Sequence, residues 1–160
     1  MISGSYVFRE VEDITRQKGF ITLDIEYTNY KWMSFAPYDG ETYTETKADY
    51  APYNEAIDAV YKGTFNFRRG GELKFNTIMA RAGFAYYTSP YSDKELKGRK
   101  MFVSGGLGYR NKGMFIDLTY VQRLNKDVNF PYRVNPPRAN TFADLKENGG
   151  NVLLTVGFKI

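Results

Sequence analysis

The segment NVLLTVGFKI, residues Asn151 to Ile160, alternates. Val152, Leu154, Val156, Phe158 and Ile160 take one face. Asn151, Thr155, Gly157 and Lys159 take the other, with Leu153 the exception. Period two is the pattern of a strand with one apolar face. The length suits a tilted strand crossing an outer membrane, which needs roughly 9–11 residues. A closing strand whose apolar face meets lipid has this pattern. For this segment alone, a strand of a soluble antiparallel barrel is the alternative.

The same alternation recurs upstream. In Gly19 to Lys31, Ile21, Leu23, Ile25 and Tyr27 oppose Thr22, Asp24, Glu26 and Thr28. In Lys62 to Phe75, Phe65, Phe67, Leu73 and Phe75 oppose Thr64, Asn66, Arg68, Glu72 and Lys74. Ile78 to Thr88, Lys100 to Arg110 and Gly113 to Arg123 behave alike, with Arg81, Gly106, Gly108 and Asp117 on their polar faces. Ile2 to Arg9 is a weaker seventh candidate. The shared phase predicts an antiparallel meander with little helix. Ile21, Leu23, Ile25, Leu154, Val156 and Phe158 are expected outside, and Asp24, Glu26, Arg81 and Asp117 inside.

The connections alternate in length. Asn76-Thr77 and Asn111-Lys112 read as tight turns. Ala36 to Tyr61, Ser89 to Arg99 and Asn125 to Gly150 read as long polar links. Short turns at one rim and long loops at the other are the arrangement of an outer-membrane barrel, with Glu10 to Lys18 as a periplasmic link. Within the first long link, Asn54 to Tyr61 reads as a short helix capped by Asn54.

Composition narrows the chemistry. The chain has 160 residues and reads as a single domain. Neither Cys nor His occurs. Disulfides, thiolate nucleophiles and ordinary zinc sites or triads are thereby excluded, and no cofactor, metal or catalytic residue is expected. Tyr 14 and Phe 12 against Trp 1 is rich in aromatics, and Tyr suits membrane–water girdles. The mean hydropathy of -0.49 fits strands that are only half apolar. No apolar run approaches the ~20 residues of a membrane helix. The net charge of +4 is scattered among acids, against a nucleic-acid partner. Residues 1 to 6 lack the pattern of a signal peptide, so an exported chain of this kind is expected to be a mature or fragmentary piece.

The candidate lumen residues are Asp24, Glu26, Arg68, Glu72, Arg81, Asp117 and Arg123, with Lys74 and Lys159 beside them. Asp24 and Glu26 have the spacing of an acid–base pair, but mixed charges in a barrel interior are expected to pair across strands. Gly105-Gly106-Leu107-Gly108 lies inside a strand pattern, where glycines permit bends or close approach rather than phosphate binding. Arg69 shares the apolar face with Phe67; a bulge at Gly70-Gly71 would turn it inward, and a position near the rim would let it snorkel.

Tyr61 to Glu72 (YKGTFNFRRGGE) resembles a strand of the FadL/TodX-type outer-membrane transport proteins. Arg81 to Tyr91, Gly106 to Arg110, Phe115 to Val121 and Leu154 to Ile160 carry the same resemblance. The family implies a barrel of about 14 strands that imports hydrophobic compounds such as fatty acids. The expectation is therefore an all-β, antiparallel up-and-down transmembrane β-barrel of about seven to eight strands, or the C-terminal portion of the larger one. It would serve passive uptake of fatty-acid-like or aromatic molecules across the outer membrane of a Gram-negative bacterium. The loop aromatics Tyr50, Tyr53, Phe130 and Tyr132 would make first contact. Its partners would be the lipid bilayer, the ligand, and the rest of its own barrel or another copy at its edges. A small closed barrel with a structural or adhesive role is one alternative. A soluble lipocalin-like binder, with Ile21, Leu23 and Ile25 inside, is the other.

Overall fold

The period-two segments become strands, and their order in space is their order in sequence. The computed structural model describes residues 1–9, 17–37, 46–94, 96–129, 131 and 141–158. The strands are β1 (Ile2–Arg9), β2 (Gln17–Asn29), β3 (Gly63–Phe75), β4 (Ile78–Tyr87), β5 (Lys100–Asn111), β6 (Met114–Asn129) and β7 (Ala143–Phe158). Each pairs antiparallel with its sequence neighbour, making one seven-stranded meander. The sheet is not closed into a barrel. Among the described residues β1 pairs only with β2, and β7 only with β6.

The two faces invert the soluble pattern. The enclosed side chains are Met79, Thr64, Asn66 and Glu72, three of them polar. The apolar face is open: Leu23, Phe75, Leu107, Leu118 and Leu154 are all exposed, Leu154 to 62%. Ile21, Val156 and Phe158 are exposed on the same face, and Ile25 lies there half-buried. Leaving a Leu or Phe in water forgoes about 1.5–3 kcal/mol of burial, and most strands do so several times. The register fixes this division. Asp24 stands opposite Arg68, and Glu72 opposite Arg81, so polar residues meet polar residues across the ladder.

Several local expectations are corrected. The second tight turn is Lys112-Gly113, because Asn111 still pairs with Met114. Both turn residues have positive φ, 43° and 88°, which suits a two-residue hairpin and which Gly adopts without strain. The link from Asn125 to Gly150 is largely strand: β6 runs to Asn129 and β7 starts at Ala143. This stretch is polar on both faces, so it shows no alternation. Its pairing is held by Arg123 and Asn125, which both reach Glu147.

The helical content is larger than expected. Helix α1 spans Lys47–Val60 and begins at Thr46, not at Asn54. The Thr46 N–H and hydroxyl both donate to Asp49 Oδ2, at 2.7 and 2.9 Å. This satisfies an orphan donor at the helix start. The bonds hold the Asp49 carboxyl below its ordinary range, the backbone N–H contributing most. Asn54 lies inside the helix and binds elsewhere. Its side chain accepts from the Phe35 N–H at 2.7 Å and donates to the Phe35 carbonyl at 3.0 Å.

Candidate functional site

The enclosed polar face carries two charge clusters. In the first, Arg81 Nε donates to Glu72 Oε2 at 2.6 Å across the β3–β4 ladder. Its Nη1 donates to Asp117 Oδ1 at 2.8 Å. Asp117 is on β6, so the bridge passes over the whole of β5. Glycine makes that possible. Gly106 stands opposite Arg81, and Gly108 opposite Asp117. A Cβ on Gly108 would run into the Asp117 carboxylate, and one on Gly106 would come to 2.8 Å from Thr119 Oγ1. Lys74 completes the cluster, with Nζ 3.6 Å from Glu72 Oε1.

The second cluster lies on β2 and β3. Arg68 Nη2 donates to Glu26 Oε2 at 3.1 Å, and its Nε lies 3.9 Å from Asp24 Oδ2. One guanidinium thus serves both carboxylates. Arg68 balances one of the two negative charges, and the three side chains form one ion-pair cluster across β2 and β3. Arg123 stands apart from both clusters, at the long end of the β6–β7 hairpin, where Nη2 meets Glu147 Oε1 at 2.6 Å.

Beyond the ends of β2 to β5, the long connections are tied to one another. The Lys62 N–H donates to the Pro90 carbonyl, and the Ser92 N–H to the Val60 carbonyl, both at 2.8 Å. Tyr61 and Tyr91 form a β-bridge and stack at 5.7 Å, and Tyr30 joins Tyr61 at 6.5 Å. Burial raises the Tyr91 hydroxyl pKa, reinforced by the nearby Asp127. Tyr50 and Tyr53 project from successive turns of α1 onto Phe35, at 6.4 and 6.1 Å. The Asn54 clasp on the Phe35 backbone holds that ring against them.

Of the predicted residues, then, Asp24, Glu26 and Arg68 come together, as do Glu72, Arg81 and Asp117. Tyr50 and Tyr53 share one aromatic cluster. Phe130 and Tyr132 lie outside the described residues. The sequence reading missed Phe35, Tyr61, Tyr91 and Glu147 as parts of these groups. Phe35, Tyr61 and Tyr91 sit in irregular chain with no period to assign them, and Glu147 in a strand polar on both faces. No family model, curated protein or solved structure matches this chain.

Proposed function

We propose that this sheet is part of the wall of an outer-membrane β-barrel that takes up hydrophobic small molecules, fatty-acid-like or aromatic, without covalent chemistry. The observation that carries this reading is the inverted sheet: ion pairs on the enclosed face, and Leu, Ile, Val and Phe on the open one. Lipid turns that arrangement from a liability into a match. A lipocalin-like interior would instead enclose Ile21 and Leu23, which are exposed here. The resemblance to FadL/TodX-type transporters supplies the solute class, and the Phe35–Tyr50–Tyr53 cluster offers it an aromatic surface beyond the wall.

Strand direction constrains closure. Seven alternating strands leave β1 and β7 running the same way. Antiparallel closure therefore takes an odd number of further strands, which gives the even total of bacterial barrels. A second copy in the same orientation would meet this one along parallel seams. The rest of a larger barrel is the reading we favour. One added strand would instead make a small barrel of about eight, with a structural or adhesive role; the mutual pairing of the interior charges supports that second reading, because such interiors are filled by side chains.

Liposome uptake of a fluorescent fatty acid tests the proposal. Saturable uptake is expected once the further strands are supplied, and none from residues 1–160 alone. Saturable uptake by the monomeric chain would favour the small complete barrel. A chain that stays monodisperse in buffer without detergent would overturn the membrane reading.

A further inference from the structure

Arg69 sets a charge in the middle of the apolar face. It is the midpoint of β3, six residues from either end, and it stands opposite Leu23 and Phe84. Neither a bulge nor a rim position accommodates it: pairing runs unbroken through Gly70 and Gly71, so the side chain stays outside at mid-strand. It is exposed and makes no ion pair or hydrogen bond with the described residues. Two shallow grooves of about 610 and 560 Å³ flank it. The larger crosses Gly71 and Ala82 and is walled by Phe8, Leu73 and Phe84. β3 has two strands on one side and four on the other, so this stretch of wall does not depend on how the edges close.

A lone guanidinium in an apolar surface needs an anion. A second copy at the same depth brings none, because among the described residues this face carries no carboxylate except Asp144, at the far end of β7. Nor does a phospholipid headgroup lie at that depth. With strands tilted about 40°, six residues place Arg69 roughly 15 Å from either strand end, near the middle of an apolar band about 25 Å tall. A free single-chain amphiphile can sink that far. Its carboxylate can take a bidentate, charge-assisted contact that strengthens in a dry setting. The groove volume lies within the roughly 300–1,000 Å³ of small-molecule sites.

We propose that Arg69 and the groove over Gly71 and Ala82 form an outer-wall site for a single-chain anionic amphiphile, its carboxylate on the guanidinium and its tail along the groove toward Leu73. The site rests on the membrane reading above. The test places a tryptophan at the register partner of Arg69, as Phe84→Trp in a Trp32→Phe background of the full chain. The protein is held in nanodiscs of neutral phosphatidylcholine at alkaline pH, and quenching by dibromostearate is compared with quenching by its methyl ester. Dibromostearate is expected to half-quench at about tenfold lower concentration, a gap narrowed by Arg69→Lys, which keeps the charge but not the two-pronged contact, and lost in Arg69→Met. Equal quenching by the two probes, or a gap that survives Arg69→Met, overturns the site. Loss of the gap when anionic phospholipid replaces the neutral lipid assigns the guanidinium to a headgroup and also overturns it. Brominated phosphatidylcholine should quench the introduced tryptophan in every variant; its failure to do so overturns the membrane reading itself.

Discussion

Removing Arg81 strands two carboxylates. Its guanidinium holds Glu72 at 2.6 Å and Asp117 at 2.8 Å. Those side chains are only 10% and 15% exposed, while Arg81 is 33% exposed. Deleting one member of a buried pair costs about 3–5 kcal/mol, because the remaining charge is left unsolvated and unpaired. Exposed pairs cost at most about 1 kcal/mol. The acids lie near the buried limit and the Arg does not, and Lys74 still reaches Glu72 at 3.6 Å. Arg81→Met should therefore cost about 2–3 kcal/mol. Neutralising the stranded acids should recover most of it, so Arg81→Met with Glu72→Gln and Asp117→Asn should lie within about 1 kcal/mol of the native chain. Urea titration in detergent micelles, read by heat-modifiable gel mobility and by tyrosine fluorescence, measures both. A single variant that loses less than about 0.5 kcal/mol would refute the reasoning. So would a triple variant no more stable than the single one, since the penalty would then come from lost packing and not from uncompensated charge.

The face assignment predicts that Leu118→Arg, on the open face, costs about 2–4 kcal/mol of folding in lipid vesicles, whereas Thr155→Lys on the enclosed face costs under about 1 kcal/mol; equal folded yields would contradict it. Gly108→Val should break the Arg81–Asp117 bridge by driving the Asp117 carboxylate aside, and its destabilisation should vanish in an Asp117→Ala background, as a double-mutant cycle would show. The Asp49 carboxyl is held below its ordinary value of 3.8 by hydrogen bonds from Thr46. A lowered folded pKa gives stability that is present above the unfolded value and lost as the pH falls through the folded one. Helicity of α1 by circular dichroism should thus fall below about pH 4 in the native chain and approach that of Asp49→Ala. Asn54→Ala removes both bonds to the Phe35 backbone and should speed limited proteolysis at Met33 to Phe35; an unchanged cleavage rate there would show that the clasp does not hold Phe35 in place.

Period two determined more of this molecule than any motif did. Alternation, complete at Ile21 to Tyr27 and broken only by Met79, Ala85 and Phe115 in Ile78 to Tyr86 and Met114 to Tyr120, was enough to assign strands and faces, because a one-residue slip would exchange the faces wholesale. Boundaries failed where the pattern falls silent. Asn125 to Asn129 and Ala143 to Gly150 are polar on both sides, and their pairing rests on Glu147 meeting Arg123 and Asn125, a contact between residues more than twenty apart. The start of α1 was misplaced because Asn54 has the chemistry of a cap, while Thr46 and Asp49 form one, leaving Asn54 free to clasp Phe35. Alternation likewise put Glu72, Arg81 and Asp117 on one face, but nothing in it says that an arginine on β4 bypasses β5 to reach β6. That depends on Gly106 and Gly108 standing side by side with their partners in register, a coincidence of three strands. The sequence by itself determined which residues share a side, since that follows from backbone geometry alone. Only the tertiary structure decided which of them touch, and that Arg69 stays outward in an unbroken ladder, because both depend on how neighbouring strands align.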